Sequence, residues 1–112
     1  MSKPAERAYS RYAQEAVRLL GRLIRIGRIE RKITTTDLAA RVGISRALLH
    51  RIERGDVGCG VGAMFECAAI VGVPLFAADA RAVSAQVIDR GERLALLPKS
   101  IRNTAKVVRD DF

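Results

Sequence analysis

Two short periodic runs separated by one glycine constrain this chain more than anything else in it. They lie in "TTTDLAARVGISRALLHRIERG", residues 34–55. Ser45 is a good N-cap, because its hydroxyl can accept one of the backbone N–H groups left free at a helix start. Gly55 is a good C′ residue, because glycine enters the left-handed conformation that ends a helix. Between them Leu49 and Ile52 share a face, the expected core side. At about 100° per residue, Ala47, His50, Arg51 and Arg54 point the other way, with Arg46 at the margin. The only acid of the segment from Gly43 to Gly55 is Glu53. A solvated face normally mixes both signs of charge, and this one is basic.

The run before it has the same punctuation. Thr34 is an N-cap candidate with Asp37 three residues on, an acid near the positive end of the helix. Leu38, Ala39 and Val42 form its inner face, and Gly43 ends it. Two short helices joined by about three residues containing glycine, the second basic outside, form a helix-turn-helix signature.

Around this centre the pattern is helical throughout. A first long helix runs from near Tyr9 or Gln14 to about Lys32. Ala16, Leu19, Leu20, Leu23, Ile24 and Ile26 occupy one half of its wheel, with Arg18, Arg22, Arg25 and Lys32 opposite. That apolar half is wide enough either for ordinary core or for core plus a contact with another chain. Gly21 and Gly27 lower its helix propensity and allow close helix approach. After the loop "DVGCGVG", the run "AMFECAAIVGV" reads as a fourth helix closing at Gly72. Met64, Cys67, Ala68 and Val71 face its core side, and Met64 and Phe65 read as core or dimer contacts rather than a cofactor box. Residues 81–97 read as a fifth helix with Val83, Val87, Leu94 and Leu97 apolar, interrupted by Gly91 and ended by Pro98. The expected fold is all-α, a compact bundle of four to five helices. The expected organisation is an N-terminal arm over 1–14, a helix-turn-helix domain over 15–75, and a C-terminal helix and tail over 76–112.

At 112 residues the chain is one domain with arms, small enough that oligomerisation helps complete its core. Its net charge is +8 and its pI near 10.5. From Arg18 to Arg54 there are ten Lys or Arg against three acids, Glu30, Asp37 and Glu53. A basic excess concentrated in this way points to an acidic partner, most often nucleic acid. The sequence has no transmembrane or signal-peptide pattern, so a soluble cytoplasmic protein with no membrane partner is expected. Cys59, Cys67 and the lone His50 do not make a four-ligand zinc set, and two reduced thiols are expected. No metal and no other cofactor are expected.

The segment "TTTDLAARVGISRALLHRIERGD" resembles the Xre/Cro-like helix-turn-helix family of phage-repressor type. The shared marks are Leu38-Ala39, the turn Gly43-Ile44-Ser45 and the close Arg51 to Gly55. The resemblance covers residues from about 18 to 73. It implies a phage-repressor type of bundle with a C-terminal extension, and a structural pair between Glu53 and a basic residue of the first helix, here Arg28. A second resemblance covers about twenty residues. "LALLPKSIR…VVRDDF" looks like the C-terminal region of HipB-like antitoxins, Xre-type regulators encoded beside HipA-like kinase toxins. It departs from the best-known HipB-like pattern, in which a β-forming segment follows the bundle, because a helix occupies much of that region here.

These resemblances imply a sequence-specific repressor that binds double-stranded DNA, controls its own operon and neutralises a HipA-like kinase toxin. The alternative is a stand-alone Xre-family regulator with no toxin partner. A major groove admits one α-helix. Arg46 and Arg51 suit bidentate contact with guanine O6 and N7, and Ala47 suits a thymine methyl. His50 can meet a base edge, a phosphate or water. Thr34, Thr35 and Ser45, at helix starts, and Arg54, at a helix end, suit phosphate. So few readers per subunit imply a homodimer on an inverted repeat, with half-sites about one helical turn apart. Asp110, Asp111 and Phe112 are the expected protein-partner contacts, against the plainer alternative of a frayed tail. An enzyme is disfavoured: there is no phosphate-binding glycine loop and no nucleophile–His–acid set. RNA binding by base stacking is disfavoured by five aromatic residues, none on the basic helix face.

Overall fold

Ser10 starts the first helix by accepting the Ala13 N–H on its hydroxyl, 3.1 Å away. In the computed structural model, which describes residues 8–101, five helices follow in order. They are α1 (Arg11–Glu30), α2 (Thr35–Val42), α3 (Arg46–Arg54), α4 (Val61–Ile70) and α5 (Ala80–Ala95). The described residues include no strand, so the fold is all-α, as the periodicity required. The chain divides into two units, Met1–Phe76 with α1 to α4 and Ala77–Phe112 with α5.

The core of the first unit is built from Ile24, Leu38, Ala39, Leu49, Ile52, Met64, Cys67, Ala68 and Val71. Fully burying a side chain the size of Leu38, Leu49 or Ile52 contributes about 1.5–3 kcal/mol each. Val17, Leu20, Val42, Leu48 and Leu75 pack against this cluster half-buried. Glycine sets how closely the helices approach. A Cβ on Gly21 would collide with the Ile52 carbonyl oxygen and lie 3.0 Å from that of Glu53. A Cβ on Gly27 would lie 3.0 Å from the Val71 side chain and carbonyl oxygen. These two glycines let α1 press its backbone against the end of α3 and the end of α4.

That stripe corrects the broad apolar half expected for α1. Of its large residues only Ile24 is fully buried, and Leu20 is half-buried. Leu19, Leu23 and Ile26 are 59 %, 40 % and 51 % exposed. The face that packs is the one with glycines, because only there can two neighbouring helix backbones come close. The fourth helix buries Met64, Cys67 and Ala68, with Val71 at its cap. Phe65 is instead half-buried, edge-to-face with Phe76 at 5.9 Å between ring centroids.

In the second unit, Asp79 caps α5 by accepting the Ala82 N–H at 2.9 Å. No residue of α5 is buried. Of the apolar residues named for this helix, Val83 is half-buried, while Val87, Leu94 and Leu97 are exposed.

Candidate nucleic-acid interface

The turn between α2 and α3 is three residues long. Gly43 adopts φ 83° and ψ 33°, and its N–H and that of Ile44 both donate to the Ala39 carbonyl, at 2.8 and 3.0 Å. Ile44 is half-buried against the core, and Ser45 returns to extended backbone to cap α3. The Ser45 hydroxyl accepts the Leu48 N–H at 3.0 Å. At the other end Gly55 takes φ 80°, and a Cβ there would collide with Arg18 of α1, 2.7 Å from its α-carbon.

Leu49, Ile52 and Glu53 are the buried residues of α3. Arg46, Ala47, His50, Arg51 and Arg54 are all exposed. The fate of Glu53 decides the sign of this surface. Its carboxylate turns inward and accepts from Arg28 Nε at 2.7 Å and Nη2 at 3.1 Å. Arg28 also donates from Nη1 to the Ile33 carbonyl at 3.1 Å. The side chains of Arg28 and Glu53 are 11 % and 5 % exposed. With its only acid withdrawn into this pair, α3 shows solvent a face whose charged groups are all arginine.

The hydroxyls at the helix starts have a definite place. Thr34 caps α2, accepting the Asp37 N–H at 3.0 Å, and the half-buried Thr35 opens the helix. The capping hydroxyls of Thr34 and Ser45 accept from backbone and keep their own hydrogens for donation outward. Arg46 Nη1 reaches Thr36 Oγ1 at 3.5 Å, which brings the first turn of α2 beside the first turn of α3. Of the set expected from sequence, Arg46, Ala47, His50, Arg51 and Arg54 are exposed on α3, Ser45 caps it, and Thr34 and Thr35 stand at the start of α2. Asp110, Asp111 and Phe112 lie outside the described residues.

Sequence reasoning missed two neighbours. Thr36 meets Arg46, and Asp56, just past Gly55, meets Arg51: Arg51 Nε donates to Asp56 Oδ2 at 2.9 Å. The other carboxylate oxygen of Asp56 accepts the Gly58 N–H at 2.7 Å. The hydrogen bond from Arg51, followed by that from Gly58 and the charges of Arg51 and Arg54, holds the Asp56 carboxyl below its ordinary range. The same bond to Asp56 raises the Arg51 guanidinium further above its own. An acid directly behind a C′ glycine and five residues after an arginine was the available signal.

Cys59 and Cys67 are free thiols. Among the described residues no three His, Cys, Asp or Glu side chains are grouped to hold a metal ion. None of the described helices is long and apolar enough to cross a membrane.

No curated protein and no solved structure shows significant similarity to the chain. The helix-turn-helix domain family, however, matches residues 19–83, from α1 into the start of α5. With that match spanning more than half of its 112 residues, the chain belongs to the helix-turn-helix domain family.

Proposed function

We propose that this protein is a sequence-specific DNA-binding transcriptional regulator that lays α3 in the major groove. One observation carries this function: Leu49, Ile52 and Glu53 face inward while Arg46, Ala47, His50, Arg51 and Arg54 face solvent. A major groove admits one helix and offers guanine O6 and N7 to a planar guanidinium. Arg46 and Arg51 read bases, Ala47 fills space beside a thymine methyl, and His50 meets a base edge or a phosphate. Arg54, Thr34, Thr35 and Ser45 hold the backbone phosphates, which position the helix without specifying sequence. Membership of the helix-turn-helix family supports the same assignment. The protein acts as a homodimer on an inverted repeat, since one copy brings too few base readers for tight binding.

The finer proposal is that the regulator is an antitoxin that represses its own operon and binds a HipA-like kinase toxin through its C-terminal third. Its support is the resemblance of "LALLPKSIR…VVRDDF" to HipB-like antitoxins, with Asp110, Asp111 and Phe112 as the contacts. The exposed apolar side chains Val87, Ile88 and Leu94 of α5 add surface suited to a protein partner.

Both levels are tested by tagging the protein in its native cell and identifying what co-purifies. The protein's own promoter together with a stoichiometric kinase-like protein is the expected result. Other promoters and no protein partner leave a stand-alone regulator. A variant lacking residues 98–112 locates the contact: it should keep DNA and lose the kinase-like protein. Retained partner binding with weakened DNA binding removes the tail from that role.

A further inference from the structure

Arg51 has a free side and a held side. Its Nε–H is taken by Asp56 Oδ2 at 2.9 Å, while its two terminal nitrogens make no hydrogen bond among the described residues, and the side chain stays 44 % exposed. Asp56 is itself fixed from three directions. Its N–H donates to the Arg51 carbonyl at 3.0 Å, its carbonyl accepts the Cys59 N–H at 3.2 Å, and its Oδ1 accepts the Gly58 N–H at 2.7 Å. The guanidinium also lies over Gly58, where a Cβ would stand 3.2 Å from Nη2. A surface arginine otherwise has rotamer entropy to lose on binding. Here the loop after α3 already holds the guanidinium through Nε and leaves both terminal nitrogens without a protein acceptor among the described residues.

The geometry points to Asp56 as a positioning residue that sets the base preference of this protein by orienting Arg51 for a bidentate contact with a guanine. This rests on the DNA-reading function proposed above. A carboxylate so close to a DNA-binding surface repels phosphate, so it opposes sequence-independent affinity. Its benefit is discrimination: a pre-oriented fork matches O6 and N7 of guanine and mismatches other bases. Asp56 therefore affects the two properties with opposite sign, which a purely structural or purely electrostatic role does not.

The test is selection from a random-sequence duplex DNA library by the full-length protein and by Asp56→Asn, Arg51→Ala and Arg51→Lys, followed by affinities for the selected and a scrambled duplex. Asp56→Asn keeps an acceptor for Gly58 but removes the charge, and thermal melting followed by circular dichroism checks its fold. Arg51→Lys keeps the charge but has neither an Nε to hold nor a fork to present. The wild type should enrich a motif with a fixed G·C pair per half-site that all three variants lose. Discrimination at that pair should fall by at least about fivefold, the low end of what one bidentate contact provides. Affinity of Asp56→Asn for the scrambled duplex should be higher, because the repulsion of phosphate is gone. A base pair lost in Arg51→Ala but kept in Asp56→Asn or in Arg51→Lys overturns the positioning role while DNA reading stands. A sharper preference in Asp56→Asn also overturns it, since Asp56 would then be withholding Arg51. A wild type that enriches no motif overturns DNA reading itself, and this inference with it.

Discussion

Arg28 and Glu53, 25 residues apart in the chain, meet in a two-pronged ion pair of 2.7 and 3.1 Å that ties α1 to the last turn of α3. A third bond, from Arg28 to the Ile33 carbonyl, brings in the segment that leads to α2. The pair orients the helix-turn-helix against α1, and it removes from α3 the only negative charge that helix has.

Glu53→Ala should therefore destabilise the fold by about 3–5 kcal/mol, because Arg28 is left buried without its counter-charge. Replacing both partners with apolar residues, Arg28→Met with Glu53→Leu, should recover most of that loss. Urea denaturation followed by circular dichroism measures both. A single variant as stable as wild type would show that the pair holds nothing.

Gly21→Ala should lower stability, although alanine in place of glycine inside a helix ordinarily gains about 1 kcal/mol. The added Cβ meets the carbonyl oxygens of Ile52 and Glu53 and the Gly55 nitrogen, and overpacking of this kind costs about 1–3 kcal/mol. Gly91→Ala on α5 is the contrast, since nothing lies within reach of a Cβ there, and α5 should become more helical. Thermal melts of the two variants should shift in opposite directions. An unchanged or raised melting temperature for Gly21→Ala would mean that α1 and α3 are not backbone to backbone.

The two thiols should behave unequally toward a disulfide reagent at pH 8. Burial pushes Cys67 up to about 11, with Glu53 and Glu66 adding to it, while Cys59, raised chiefly by its partial burial, also feels the opposing charge of Arg51. One thiol should react in the folded protein and the second only on unfolding; Cys59→Ser should abolish the first phase. Because the folded value of Cys67 lies above the ordinary thiol value of about 8.5, its contribution to stability is complete below that pH. It is lost as pH rises toward the folded value. Equal rates for both thiols would place Cys67 outside the core.

Acid should release Arg51. The Asp56 carboxyl is held below the ordinary aspartate value, first by the hydrogen bond from Arg51. A depressed carboxylate stabilises the fold fully above the unfolded value of about 3.9 and loses that contribution as pH falls through the lower folded one. The pair is therefore intact at neutral pH. A carboxyl-carbon NMR titration of Asp56 should give a midpoint below about 3.9, with the Arg51 Nε–H resonance moving in step. A midpoint at or above it would mean that the two side chains do not meet in solution.

What could be read from sequence followed from how local its cause was. Capping is chemistry within one turn, so Thr34, Gly43, Ser45 and Gly55 were legible, and Leu38, Leu49 and Ile52 followed because a short helix offers few choices of inner face. In α1 Leu and Ile fill a whole half of the wheel, and which part of it is buried was chosen by Gly21 and Gly27, whose value depends on partners far along the chain. Val87, Leu94 and Leu97 share a helix face by spacing, yet all three are exposed, and Leu97 lies past the end of α5. The partnership of Arg51 with Asp56 needed the path of the chain after Gly55, which helical periodicity does not describe. Lys32 was equally hidden: it takes φ 57° after α1, a position where glycine would have announced itself.

The proposed function is the reading of DNA sequence by the outer face of α3. It is tested most directly by fluorescence anisotropy, comparing affinity for a selected duplex and a scrambled one, with wild type, Arg46→Ala, Arg51→Ala and Arg54→Ala across a salt series. For Arg46→Ala and Arg51→Ala, affinity for the selected duplex should fall by about 1–3 kcal/mol, with the preference over the scrambled duplex shrinking in step. Arg54→Ala should weaken both duplexes alike and reduce the salt slope by about one. Uniform weakening by all three variants, with the preference untouched, would contradict base reading by α3 and leave it a phosphate-binding helix.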